Sequence, residues 1–271
     1  MAPCLDAKTI GQRLSGLGVR TGYIGKWHLD GTDYFGNGVC PEGWDPDYWF
    51  DGRCYLDSLG SKEERDFSRL VPTAKDMRDN GYDETFTMAH RSVDKALEFI
   101  ERYKDEDFFL VVSIDEPHHP FICPAEYLEA FEGFEYKLGP NGKDTLKDKP
   151  QSQRDWSNHV KSHLGDGEKL RMDAFFACNS YCDYEIGRIN IAIDKWIPNA
   201  LSIYTSDHGE SPLTGQAHDS SRYIWEMSAV PFFIFFNEEA KLKYPKLFND
   251  ISQRANKKNR DLLNNLPNLI L

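Results

Sequence analysis

Asp207 and His208 stand together in TSDHGE, Thr205 to Glu210, at the end of an apolar run, and Gly209 behind them permits a sharp turn. A carboxylate beside an imidazole is a donor pair for a divalent cation. The plainer meaning of the same letters is a helix start, with Ser206 or Asp207 as N-cap. Lys26 and His28 close GKWH, Gly25 to His28, after another apolar run. A lysine ammonium suits a phosphate or sulfate oxygen. His28 shares its face if the strand continues, and Trp27 then turns the other way, into packing. DEPHHPF, Asp115 to Phe121, holds His118 and His119 between two prolines that stiffen the loop. An imidazole there binds an anion or protonates a leaving group; the alternative is a rigid surface turn. Successive side chains point apart, so one of the two histidines serves. In GQAHDSSRY, Gly215 to Tyr223, His218 and Arg222 are further candidate anion contacts, or members of an ordinary surface loop. Cations and a metal pair in one chain point to chemistry on an anionic ester.

Such residues need elements to carry them. Asp6 to Gly18 reads as a helix with Asp6 as N-cap, Ile10 and Leu14 on one face and Gly18 at its end. Thr21 to Trp27 reads as a short buried strand, and Gly31 to Ser61 as irregular, with the aromatic cluster Trp44, Tyr48, Trp49 and Phe50. Phe86 to Tyr103 has Val93, Ala96, Leu97 and Ile100 at helical spacing. Phe108 to Ile114 is a continuous apolar run, the pattern of a strand buried on both faces. Met172 to Trp196 is a long helix with Met172, Phe175, Cys182, Ile186, Ile189 and Ile193 in step; Ala200 to Thr205 and Val230 to Phe236 are further strands. Alternating strands and helices imply an α/β fold, a mostly parallel sheet flanked by helices. Ligands then sit beyond the carboxyl ends of the strands, which is where the polar clusters fall.

The chain has 271 residues with no internal repeat or low-complexity linker, and residues 1–271 read as one domain. Its net charge is -12, from 44 acidic and 32 basic side chains. That argues against nucleic acid and an anionic membrane surface as partners, but a locally positive pocket for an anionic substrate is compatible with it. The apolar runs FFLVVSI and AVPFFIFF fall short of the ~20 residues of a membrane span. MAPCLDAK does not read as a leader, so the expectation is a cytoplasmic chain. Six cysteines stand at irregular spacing without a CxxC pair. Cys178 and Cys182, one helical turn apart, are a metal pair or, more in keeping with a reducing compartment, buried free thiols.

GKWHLDG, PHHPF, and TSDHGE followed by VPFFIFF, in this order, resemble the sulfatases of the alkaline phosphatase superfamily. The helix containing YCDYEIGRI resembles the family's helix before its DHG strand, and EGWDPDYW its aromatic-rich loop after GKWH. The resemblance covers essentially the whole chain. It implies an alkaline-phosphatase-like fold and hydrolysis of a sulfate ester, in a small molecule or carbohydrate, at a divalent metal. That metal is usually calcium, with manganese or zinc open because of a histidine ligand. It implies that Asp207 and His208 are metal ligands, that Lys26 and His28 contact the sulfate or the leaving oxygen, and that His118 binds the sulfate.

Four departures qualify what the resemblance implies. The family's nucleophile, a cysteine or serine in C/S-x-P/A-x-R oxidised to formylglycine, lies upstream of the helix before GKWH, and no such motif precedes that helix here; Cys4 lacks the pattern. The family's first pair of metal-binding aspartates, which follows the first strand, is also absent. DLLNNLPNLIL resembles a helix that is normally followed by a small C-terminal subdomain. The expectation is therefore a partial catalytic domain lacking the first strand and that subdomain, with weak metal binding, little turnover and a tendency to self-associate. Finally, Ser220 falls near a position where sulfatases carry a lysine, and His218 resembles the histidine of phosphoethanolamine transferases. Two alternatives stay open: a phosphodiester or phosphonate hydrolase or phosphoethanolamine transferase of the same superfamily, and a non-catalytic remnant that keeps only an anion pocket.

Overall fold

A computed structural model of the chain describes residues 7–30, 34–137, 144–164, 171–210 and 230–255. Helix α1 (Ile10–Ser15) leads into strand β1 (Arg20–Gly25). Its N-cap is Thr9 rather than the expected Asp6, which lies outside the described residues. The Thr9 hydroxyl accepts from the Gln12 N–H and the Gln12 side chain reaches back, a complete capping box.

The stretch expected to be irregular holds more order than its glycines suggest. A 3₁₀ turn (Pro46–Tyr48), strand β2 (Trp49–Phe50) and helix α2 (Gly52–Ser58) follow one another there. Asp51 starts α2 by accepting from the Cys54 N–H, the kind of cap that ends an extended segment. Helices α3 (Lys62–Phe67) and α4 (Ala74–Asn80) begin at the capping boxes of Ser61 with Glu64 and of Thr73 with Asp76.

Helix α5 (Met88–Tyr103) and strand β3 (Phe108–Ser113) come next. The sheet order is β2-β1-β3, all parallel, with Gly22 opposite Leu110 and Ile24 opposite Val112. One face of the sheet packs on α5, where Ile24, Tyr48, Ala96, Phe99 and Tyr103 are buried against Phe108, Leu110 and Val112. The other face carries Tyr23, which meets the rings of Trp27, Trp44 and Trp49 at centroid distances of 4.8, 5.2 and 5.6 Å. Strand β3 is half-buried along its whole length, not buried on both faces as its apolar run implies; among the described residues it forms one edge of this sheet.

Helices α6 (Ala125–Ala130), α7 (Gln151–Leu164) and α8 (Met172–Trp196) complete the helical layers. The limits of α8 are those read from the sequence, and Met172 and Cys182 are buried as expected, beside Ala174, Ala177, Cys178, Tyr181, Glu185 and Ala192. Ile186, Ile189 and Ile193 stay half-exposed. Cys123, Cys178 and Cys182 are buried free thiols, and burial pushes the Cys178 thiol well up. Strands β4 (Leu201–Thr205) and β5 (Phe232–Phe236) pair with each other in antiparallel fashion, with Tyr204 opposite Phe233. Phe233 and Phe235 are about half exposed. Helices α9 (Glu238–Lys243) and α10 (Pro245–Ala255) follow. Among the described residues no helix is long and apolar enough to cross a membrane.

Two contacts tie the sheet to its surroundings. At the end of β1, Gly25 has a φ of 109°, and a Cβ there would lie 2.0 Å from the Ser113 carbonyl oxygen. Gly25→Ala is therefore expected to separate the ends of β1 and β3 and to lower the Tm by several degrees, measured by thermal melting against wild type. Beyond β3, buried Glu116 accepts the Ala89 N–H at the start of α5 at 3.0 Å, while its Oε2 has no partner among the described residues. Burial, then the charge of Asp115, pushes the Glu116 carboxyl up to about 8. In the unfolded chain the same group ionises near 4.5. Between those values the folded state holds the extra proton, so stability from this group is present at low pH and lost as pH rises through about 8. Glu116→Gln, which keeps the acceptor for Ala89, is expected to raise the Tm by roughly 5 °C at pH 8. The gain should shrink toward pH 5, checked by melts across that range.

Candidate anion and metal site

Because β1 and β3 are parallel, their carboxyl ends lie side by side, and the segments that leave them form one polar patch. The turn after β1 is held by two backbone contacts: the Lys26 N–H donates to the Ser113 carbonyl at 2.8 Å, and the Tyr23 hydroxyl donates to the Lys26 carbonyl at 2.7 Å. Burial pushes the Tyr23 hydroxyl up, and the charge of Asp207 adds to this.

Lys26 Nζ lies 3.2 Å from Asp115 Oδ1 and 3.2 Å from the Tyr34 hydroxyl. The Tyr34 hydroxyl donates to the same Asp115 oxygen. Both members of the ion pair are largely shielded, with 17% and 13% of their side chains exposed, which strengthens the attraction over that of a surface pair. Tyr34, Lys26 and Asp115 also line a small crevice with Phe35, Gly52 and Met88.

His118 lies against this cluster, its ring 4.6 Å from that of Tyr34 and tilted by 32°. Its Nδ1 is 2.7 Å from the His119 carbonyl oxygen. A carbonyl only accepts, so Nδ1 carries the hydrogen and Nε2 is left for a ligand. An imidazole held in this way can meet an anion only through Nε2, and only with that nitrogen also protonated. His119 is exposed and turns to Phe121, 5.3 Å between rings. His28 also reaches Tyr34, at 5.7 Å between rings. It does so by a route the sequence reading did not foresee: β1 ends at Gly25, and His28 adopts a φ of 51° on an exposed turn. Strand alternation with Lys26 therefore does not apply, although Trp27 does turn into the aromatic packing.

Asp207 and His208 leave the end of β4. His208 Nδ1 is 2.7 Å from the Gly209 carbonyl oxygen, which places its hydrogen there and leaves Nε2 free to ligate. Nε2 in turn is 3.6 Å from Asp207 Oδ2. Strand β4 forms a separate two-stranded sheet with β5, and the charge of Asp207 adds to the upward push on the Tyr23 and Tyr34 hydroxyls. Among the described residues no group of three or more His, Cys, Asp or Glu side chains converges as a complete metal site. His218 and Arg222 lie outside the described residues. Tyr34 and the pairing of Asp115 with Lys26 were not anticipated. Tyr34 sits in a glycine-rich segment with no motif to mark it, and only the fold brings it to Lys26.

The family profile described as Sulfatase matches residues 5–264. The chain is 46% identical over 213 residues to the uncharacterized sulfatase YidJ of Escherichia coli strain K12, covering 78% of this chain and 43% of that protein. It is 26% identical over 139 residues to iduronate 2-sulfatase of Mus musculus, covering 44% of this chain and 25% of that enzyme. The crystal structure of the candidate sulfatase yidJ from Bacteroides fragilis superposes with a TM-score of 0.55 at 21% identity, over 87% of this chain and 50% of that one. BT4656, solved with its substrate D-glucosamine-2-N,6-O-disulfate, gives a TM-score of 0.56 at 17% identity, over 85% of this chain and 56% of that one. The chain thus spans about half the length of these solved structures, or less of the curated relatives, and shares their α/β fold. On the match across nearly all its residues, this chain belongs to the sulfatase family.

Proposed function

We propose that the patch beyond β1, β3 and β4 receives a sulfate ester and serves its hydrolysis with the help of a divalent cation. The observation that carries this reading is the gathering of Lys26, His28 and His118 around one tyrosine, in a chain of net charge -12 that belongs to the sulfatase family. Local cations in an acidic protein have a use when the ligand is an anion. Lys26 balances charge on the sulfuryl oxygens, His118 holds one of them through a protonated Nε2, and His28 gives a proton to the departing oxygen.

Asp207 and His208 fit a divalent cation as a partial donor set, since Oδ2 and the free Nε2 stand 3.6 Å apart. When bound, the cation polarises the sulfuryl oxygens. Calcium is the family expectation, and the imidazole also suits manganese or zinc. The relatives named iduronate 2-sulfatase support a sulfated sugar as the substrate class. Trp44, Tyr48 and Trp49 are buried, so a sugar ring does not stack on them. No C/S-x-P/A-x-R segment occurs in these 271 residues, so slow turnover is proposed for the chain by itself.

The test compares an aryl sulfate with the matching aryl phosphate, under added calcium, manganese or zinc, for wild type and Asp207→Ala. The expected outcome is slow, metal-stimulated release from the sulfate ester, at least about 10-fold lower in Asp207→Ala. Preference for the phosphate ester would move the chain to the phosphoester chemistry of the superfamily. Absence of both turnover and saturable ester binding, in protein that melts cooperatively, would remove the function from this patch.

A further inference from the structure

We infer that Tyr34 is a positioning residue that aims Lys26 at the anion. This rests on the proposed anion site and adds to it a residue without charge. Lys26 Nζ, the Tyr34 hydroxyl and Asp115 Oδ1 form a closed triangle: the ammonium lies 3.2 Å from each oxygen, and the hydroxyl donates to the same carboxylate oxygen. An ammonium has three protons. Two of them are taken by these partners, so the direction of the third is set before any ligand arrives. Without such a clamp a lysine stem keeps its rotamer freedom, and binding must order it at a cost in affinity.

The ring contributes as well as the hydroxyl. Lys26 Nζ sits 4.3 Å from the Tyr34 centroid, within cation–π range. The ring also packs on His118 at 4.6 Å and meets His28 at 5.7 Å. Tyr34 therefore touches all three of the described cationic candidates. Its hydroxyl stays protonated, because burial and then the charge of Asp115 push its ionisation far up. It remains a neutral donor, and by donating to Asp115 it fixes the carboxylate that is the second partner of Lys26.

A double-mutant cycle tests the inference. Wild type, Tyr34→Phe, Lys26→Met and the double variant are titrated with inorganic sulfate at ionic strength held constant with chloride. Binding is read from the histidine ring resonances, and each protein is melted in parallel. Tyr34→Phe keeps the ring and removes the hydroxyl. It is expected to weaken sulfate binding about 3- to 10-fold, the scale of one hydrogen bond. In the Lys26→Met background the same change should have no further effect, because Tyr34 acts through Lys26. Equal affinity in Tyr34→Phe and wild type would overturn the inference, as would an equal loss in both backgrounds, which is the signature of a general structural role. The cycle reads this coupling even if Tyr34→Phe melts lower. A wild-type protein with no saturable response to sulfate beyond chloride would overturn the anion site itself, and the inference with it.

Discussion

The hydrogen bond from the Lys26 N–H to the Ser113 carbonyl is the contact on which the candidate site depends. It extends the β1–β3 ladder one step past the last strand residue, and it forms only because residue 25 has no side chain to meet the Ser113 carbonyl. Once the ends of two parallel strands are locked in this way, the segments after them must emerge together. Lys26 and Asp115 are then neighbours though 89 positions apart, and the histidines that follow each strand lie within reach of one ring.

Electrostatics in this patch run against the bulk charge. An acidic protein keeps lysine and histidine here, yet the lysine is paired with a carboxylate and Glu116 next door is held neutral up to about pH 8 by burial. A second ionised carboxylate so close would oppose an anion; a protonated one does not. The polar contacts deeper in the fold serve packing instead. Glu185, fully buried, accepts from Tyr181 at 3.1 Å and Arg188 at 2.7 Å, and Arg188 also pairs with Asp94 of α5. The Arg188–Asp94 pair registers α8 against α5, the helix that covers the sheet.

Much of the fold was legible in the sequence wherever periodicity is strong. The long helix from Met172 to Trp196 and the apolar runs of β1 and β3 follow from spacing and composition, and the helix over Met88–Tyr103 from its amphipathic pattern. Short elements between residues 49 and 80 were missed because their signal is local capping rather than periodicity: Asp51, the Ser61–Glu64 box and the Thr73–Asp76 box mark three helix starts of only six or seven residues. The depth of β3 was also misjudged, since an apolar run records what a strand can bury and not whether a neighbour pairs with its far edge.

The sequence by itself determined which residues are candidates for chemistry and in what order, because motifs such as GKWH, PHHPF and TSDHGE are contiguous and their residue types restrict the ligands they can take. It also determined the family, through the same motifs. Only the tertiary structure decided which members of each cluster meet: His118 and not His119 against Tyr34, His28 by a left-handed turn rather than by strand alternation, and Asp115 as the partner of Lys26. The physical reason is that side-chain direction at a strand end is set by the last ladder bond and the turn after it. Tyr34 became part of the site only through contacts that no local pattern encodes.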